Sequence, residues 1–464
     1  MDILIIIFAL LFLIFVAYRG FSVILFAPIA ALLAVLLTSP SHVLPYYSSI
    51  FMEKMVGFIK LYFPVFLLGA IFGKLIAMSG FAKSITAFIV RMFGRDKSIL
   101  AIVVVGAILT YGGVSLFVVA FALYPFASEL FKAANIPKRL IPATIALGAF
   151  TFTMDAFPGS PQIQNIIPTS FFHTDAWAAP WLGLLGGSFI FAMGMIYLQW
   201  QKRKAEKKGE GYGEGHLNEH TQISGEKLPS PAIAVLPLLL VGIFNKLFTA
   251  VIPQFYGKSF DFSLIGISDI PPIDIPKLTA IWAVEAALLI GIITVVIFAF
   301  KQIKRSFNSE INISIGGALL ATLNTASEYG FGGVIAMLPG FTAVSSGIAS
   351  TFKDPLVNEA ITVTTLSGIT GSASGGLSIA LATMHETYIG QALKLGIPNE
   401  VLHRVASMAS GGMDTLPHNG AVITLLAVTG LTHRQSYKDI FVLTGFKTAG
   451  VFLIIVLYYL FGIV

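Results

Sequence analysis

The sequence predicts an all-α polytopic membrane protein made of two inverted repeats, each with five spans and one re-entrant hairpin. Three observations predict it. The first is composition: 56% of the 464 residues are hydrophobic and 11% charged, against roughly 25% charged in an average soluble domain. Mean hydropathy is +0.85, more apolar surface than a soluble globule of this size can hide. The second is the recurrence of span-length apolar windows along the whole chain. The third is a repeat between the two halves. Composition alone excludes a cytosolic enzyme, a nucleic-acid binder and a disordered chain. The absence of Cys excludes a disulfide framework and any Cys-ligated metal or cluster.

A helix needs about 20 apolar residues to cross the hydrocarbon core. Such windows lie near 1–18, 21–38, 57–78, 140–172, 178–200, 232–253, 277–300, 313–338, 400–430 and 440–462. The first is read as a helix rather than a signal peptide, because it lacks a basic start and a small-residue cleavage site and a second span follows at once. Residues 98–134 differ. They are apolar except for Tyr111-Gly112-Gly113, with Arg91, Arg95 and Lys97 before them and Lys132, Lys138 and Arg139 after. With both flanks on one side, each arm is about 15 residues or about 22 Å long, too short to span. That describes a re-entrant hairpin. Residues 362–393 repeat the design around Gly371-Ser372-Ala373-Ser374-Gly375-Gly376.

The positive-inside rule orients this layout. With 201–230 in the cytoplasm, cytoplasmic segments collect 18 of the 29 Lys and Arg. External loops collect six: Lys54, Lys258, Lys277, Lys353, Lys394 and Arg404. Both termini then fall outside the cytoplasm, at the cell (inner) membrane. Residues 1–200 form the first repeat, 201–230 a flexible cytoplasmic linker and 231–464 the second repeat.

The halves echo each other in order. Ile76-Ala77-Met78-Ser79-Gly80-Phe81 is matched by Ile335-Ala336-Met337-Leu338-Pro339-Gly340-Phe341, and Gly112-Gly113-Val114-Ser115 by Gly375-Gly376-Leu377-Ser378. Ile136-Pro137 is matched by Ile397-Pro398, and Met154-Asp155-Ala156-Phe157-Pro158 by Met413-Asp414-Thr415-Leu416-Pro417. Each half holds five spans, an odd number, so the second half sits upside down relative to the first. Inverted repeats with broken helices mark secondary transporters, with the substrate site near the midplane.

Non-helical backbone at membrane depth is tolerated only when buried in protein or lining a wet cavity. Four such breaks occur. Two are the hairpin tips, with Tyr111, Gly112, Gly113 and Ser115 in the first and Ser372, Ser374, Gly375, Gly376 and Ser378 in the second. The other two follow them in sequence: Asp155 to Pro161, with Pro158, Gly159 and Ser160, and Asp414 to Gly420, with His418 and Asn419. Breaks expose helix N-termini, which attract anions. Ser and Asn side chains add neutral donors, a chemistry that suits a small hydroxylated carboxylate. For a single Gly pair, close helix packing explains the composition as well. Two paired breaks at repeat-equivalent positions favour a binding site.

Ionisable groups within spans are functional candidates. The candidates for proton coupling are Glu328, Asp155, Asp414 and His418. Asp155 and Asp414 are duplicated, which argues for capping the helix that follows each break. Glu328 has no duplicate and no neighbouring cation in sequence, and an apolar surround favours its taking up a proton. His385-Glu386 lies on the second hairpin. Lys246 and Glu285 are expected to pair in the scaffold.

The run from Gly375-Gly376-Leu377-Ser378 through Met413-Asp414-Thr415-Leu416-Pro417-His418-Asn419-Gly420 to Thr429-Gly430-Leu431-Thr432-His433 resembles the gluconate permease (GntP) family of the ion-transporter superfamily. The resemblance covers nearly the whole chain and is densest over 315–440. Within the family the chain is similar to members that carry D-beta-hydroxybutyrate. The resemblance implies an elevator mechanism, a scaffold that dimerises as a homodimer, and proton symport of sugar acids and hydroxy acids without a cofactor. Relatives that use sodium carry Ser-Asn-Thr motifs at the hairpin tips. Here the tips read Tyr-Gly-Gly-Val-Ser and Gly-Ser-Ala-Ser-Gly-Gly, which favours the proton and leaves sodium open.

The leading expectation is a proton-coupled symporter of a small hydroxy-carboxylate such as D-3-hydroxybutyrate, with gluconate or another sugar acid as the alternative. A membrane-embedded enzyme would need an intramembrane cluster such as His-Glu-x-x-His, which the sequence lacks. A channel would need no ion gradient. The Gly-x-x-x-x-Gly-Lys-Ser/Thr motif of ATP-driven pumps is also missing.

Overall fold

Apolar composition and the spacing of Gly and Pro dictate a helical chain, and in the computed structural model the described residues are mostly helical, with one short antiparallel ribbon of two residues per strand. It describes residues 2–19, 21–94, 97–114, 116–217, 228–267, 269, 271–304, 306–341, 343, 347, 351–370, 372–417 and 419–464. In the first half run α1 (Asp2–Tyr18), α2 (Val23–Thr38), α3 (Met52–Met78), α4 (Phe81–Phe93), α5 (Ser98–Tyr111), α6 (Leu116–Ala133), α7 (Ile141–Ala149), α8 (Ile163–Phe172) and α9 (Pro180–Lys207). The second half holds α10 (Pro231–Tyr256), α11 (Ile275–Lys304), α12 (Phe307–Ala336), α13 (Pro355–Thr370), α14 (Ala373–Leu395), α15 (Asn399–Gly411), α16 (Gly420–Thr429) and α17 (His433–Phe461).

Among the described residues, five helical stretches are long and apolar enough to cross a membrane: Pro40–Met78, which contains α3, and α9, α10, α11 and α17. Other expected spans are realised differently. α1 and α2 have 17 and 16 residues, about 25 Å at 1.5 Å per residue. The window at 313–338 belongs to the 30-residue α12, which is long enough to cross but is not among these five. The windows at 140–172 and 400–430 are each broken. Residues 141–149 and 163–172 flank a single turn at Phe152–Asp155, and 399–411 and 420–429 flank a 3-10 turn at Gly412–Thr415.

α3 packs on α11 and α12, α10 on α11, and α12 on α2. A second group joins α5 to α7, α13 to α14, α15 to α8 and α9 to α17. Many large apolar side chains on the outer helices are exposed, including Leu4, Leu11, Leu25, Ile243, Ile293 and Ile297. Contiguous exposure of this kind is what lipid contact requires. α4 buries Phe81, Ile85 and Ile89 on one side and exposes Phe88 and Met92, the pattern of a helix lying in the interface.

The polar segment at 201–230 is helical as far as Lys207. Beyond it, Glu210 pairs with Arg139 (2.6 Å), Tyr212 N donates to Asn135 Oδ1 (3.0 Å), and Lys138 Nζ donates to Leu217 O (2.7 Å). Residues 208–217 are thus tethered to the end of the 98–134 hairpin at three points, with Tyr212 buried and most of the others exposed. Between α10 and α11, Ser259–Phe260 pairs antiparallel with Ile273–Asp274, and Asp261 caps the intervening 3-10 turn by accepting from Ser263 N.

Candidate functional site

Each hairpin tip is fastened to the break that follows it in sequence. At the first tip, Tyr111 OH donates to Pro158 O (2.7 Å), and Gln162 Nε2 donates to Thr110 O (2.8 Å) and Val114 O (3.3 Å). Gly112, Gly113, Pro158 and Gly159 are buried here. Ser160 is fully buried and its hydroxyl donates to Thr153 O (2.7 Å). At the second tip, Ser372 caps α14 by accepting from Gly375 N (3.1 Å), and Asp414 Oδ1 accepts from Ala373 N (3.3 Å). Ser374 Oγ lies 3.4 Å from both Ser372 Oγ and Thr325 Oγ1. Ser378 Oγ is buried without a hydrogen-bond partner among the described residues. Asn419 caps α16 through Ala421 N (2.7 Å), and Gly420 is exposed at the start of that helix. Ser115 and His418 lie outside the described residues.

The two breaks are joined to each other. Gln164 Nε2 donates to Asp414 Oδ2 (2.7 Å). Arg404 donates to Ala178 O (2.6 Å), Asp155 O (3.1 Å) and Asn165 Oδ1 (3.0 Å), and Ser407 Oγ also donates to Asp155 O (2.8 Å). Arg404 was expected in an external loop; it is instead fully buried in α15. A buried guanidinium is retained only where fixed acceptors replace its water, and backbone carbonyls at a helix break are such acceptors.

The carboxylates also depart from expectation. Asp155 does not cap the helix after its break: its Oδ2 lies 2.9 Å from Lys447 Nζ, and both side chains are buried. Asp414 caps α14, not the helix following its own break. Glu328 is buried, as its expected role requires, and sits beside Ser372 against the N-terminal turn of α14. A methyl group on Gly375 would overlap Glu328 Oε2, and one on Gly411 would overlap Asp155 Oδ2. Glycine at these two positions is therefore what lets each carboxylate approach the backbone. Lys246 does not pair with Glu285; its ammonium lies over the Trp177 ring, 5.0 Å from the centroid. Glu386 is largely exposed, 3.3 Å from His385.

Sequence reasoning passed over three buried groups. Lys447 lies mid-way along an apolar window and Arg404 within another; the rarity of such charges in spans is the signal that marks them. Glu359 falls three residues before the hairpin boundary set at 362, yet it is fully buried on α13 with both oxygens unpartnered among the described residues.

Two cavities open near the 256–277 loop. One of about 630 Å³ is lined by Lys54, Tyr62, Ser170, Tyr329, His385 and Glu386, among others. The other, of about 580 Å³, includes Asp175, Trp177, Lys246 and Glu400. The expected tip residues line neither. The larger reaches Tyr329, the neighbour of Glu328, and lies where α3, α8, α12 and α14 approach one another.

Long apolar helices and broken helices around a buried polar centre are the features of a multi-pass membrane protein, and its relatives make it a transporter rather than an enzyme. The chain belongs to the GntP permease family: the family model for GntP family permeases matches residues 1–270. It is 62% identical over 472 residues to the uncharacterized transporter YxjC of Bacillus subtilis (strain 168), covering 100% of both chains. Among solved structures it is similar to the YdaH transporter of Alcanivorax borkumensis, at 14% identity and TM-score 0.47, covering 92% of this chain and 90% of that one.

Proposed function

We propose that the chain is a proton-coupled symporter of a small hydroxy-carboxylate, D-3-hydroxybutyrate being the leading substrate. Its two halves are inverted repeats, and the hairpins with their breaks move as an elevator against a dimeric scaffold. The substrate carboxylate is held at the second tip by the hydroxyls of Ser372 and Ser374 and by the positive end of α14, where Ser372 and Asp414 accept from Gly375 N and Ala373 N, with Asn419 and the first tip completing the pocket. Glu328 carries the proton.

The observation that supports this reading is the position of Glu328. A carboxylate against a helix N-terminus occupies the place where an anionic substrate would bind. When Glu328 is ionised it repels the substrate anion; when protonated it leaves the positive end of α14 to attract the substrate. Proton and anion then load together, which is the requirement for symport. The larger cavity beside Tyr329 supplies an approach from the face of the 256–277 loop.

The test is uptake into proteoliposomes. Labelled 3-hydroxybutyrate and gluconate are compared under imposed pH and sodium gradients. Accumulation of 3-hydroxybutyrate driven by an inward proton gradient supports the proposal. Accumulation of gluconate alone selects the sugar-acid reading, and accumulation driven by sodium alone overturns proton coupling. Glu328→Gln is expected to abolish proton-driven accumulation while leaving substrate exchange measurable. Normal accumulation by that variant moves the proton to another group, with Glu359→Gln and His418→Gln next.

A further inference from the structure

Three oxygen atoms from three separate parts of the chain converge on one ammonium. Lys447, on α17, donates from Nζ to Phe150 O (2.8 Å) and to Gly411 O. Asp155 Oδ2 stands 2.9 Å away. Phe150 is the C-terminal cap of α7 and Gly411 is the last residue of α15. Both carbonyls therefore lie at the negative ends of broken helices, and Asp155 adds a full charge. Lys447 is 1% exposed and Asp155 0%. Asp155 Oδ1 has no hydrogen-bond partner among the described residues.

Carbonyls at half-helix C-termini together with a carboxylate are the ligands that transporters use for small monovalent cations at unwound helices. We infer that this is a monovalent-cation site which the chain fills with its own lysine. The tethered ammonium neutralises two helix ends and a carboxylate, and it ties a break of the first half to a break of the second. A free sodium ion has no place here while Lys447 is present. Shortening the side chain frees the site for a small cation such as sodium or ammonium. The inference does not depend on the identity of the substrate.

The experiment reads thermal stability of the purified, detergent-solubilised full chain in sodium, ammonium or choline chloride at equal ionic strength. Lys447→Ala is expected to melt below the wild type in choline. Ammonium or sodium should raise its melting temperature in a saturable way and recover most of the deficit. The wild type should melt at the same temperature in all three salts. Lys447→Gln, whose amide still fills the space, should be destabilised and should not respond. The double variant Asp155→Asn, Lys447→Ala should lose the response. Equal melting of Lys447→Ala in the three salts overturns the inference, as does an equal response from the wild type or the Gln variant. If Lys447→Ala accumulates only when purified in ammonium or sodium, the inference is supported. Failure in every salt overturns it.

Discussion

The two breaks share a sequence pattern but not an electrostatic solution. At the first, Asp155 is paired with a buried lysine, and the adjoining tip is held by Tyr111 and Gln162. At the second, Asp414 accepts, among the described residues, from the neutral donors Ala373 N, Gln164 and Asn419, and Lys447 reaches it only through space. No ion pair among the described residues reaches Asp414 or Glu328. A buried charge with a fixed counter-charge resists change, because separating the pair strands both partners. A buried carboxyl supported by neutral donors can gain or lose a proton with its surroundings intact. On the function proposed above, the first break braces the structure and the second responds to the proton.

The strongest way to break this contrast is to remove one partner of the buried pair. Asp155→Asn or Lys447→Met is expected to cost about 3–5 kcal/mol, as stranding a buried charge does. The double variant should recover part of that loss. Asp414→Asn, which strands no ion-pair partner, should cost less, about 1–3 kcal/mol for altered hydrogen bonding. Thermal melts of the purified variants make the comparison, and equal losses at Asp155 and Asp414 would erase the distinction.

The two glycines facing carboxylates sharpen it further. Gly411→Ala and Gly375→Ala each add a methyl group where a carboxylate oxygen stands, and overpacking of this kind costs about 1–3 kcal/mol. Gly411→Ala should lower stability with little change in the pH dependence of uptake. Gly375→Ala displaces Glu328 and should shift that dependence, as read in proteoliposomes across external pH.

The tips differ by a smaller margin. Tyr111→Phe removes one donor to Pro158 O and should cost about 1 kcal/mol of stability. Ser372→Ala removes a cap of similar worth, about 1 kcal/mol, but should also weaken substrate affinity. Unchanged KM in Ser372→Ala would remove that serine from the anion site.

The smallest effect lies outside the membrane. The hydrogen bond from Arg139 holds the Glu210 carboxyl below the usual carboxylate range. A depressed folded value means the stabilisation is present above the unfolded value and is lost as pH falls through the folded one. Glu210 is partly exposed, so screening limits the contribution to about 1 kcal/mol or less. Melting temperature should therefore fall slightly more on acidification in the wild type than in Glu210→Gln. Identical acid profiles would show that this contact contributes nothing.

Much of the architecture is local and was legible in the residues. Apolar windows set the helices, Tyr111-Gly112-Gly113 and Ser372 to Gly376 set the hairpin turns, and Pro158, Gly159 and Pro417 set the breaks, because helix propensity and backbone hydrogen bonding act over a few residues. The resemblance that named the GntP family was equally local, resting on contiguous motifs. The sequence also singled out Glu328, since a lone carboxyl in a long apolar helix is costly wherever it points. Only the tertiary structure decided the partners. It set Lys447 against Asp155, carried Arg404 from an expected loop to the carbonyls of Ala178 and Asp155, turned Asp414 onto α14 and left Lys246 over Trp177 instead of Glu285. A buried charge is satisfied by whichever acceptor the packing of distant helices brings within about 3 Å. That choice is a property of helix arrangement, to which the spacing of residues along the chain gives no access.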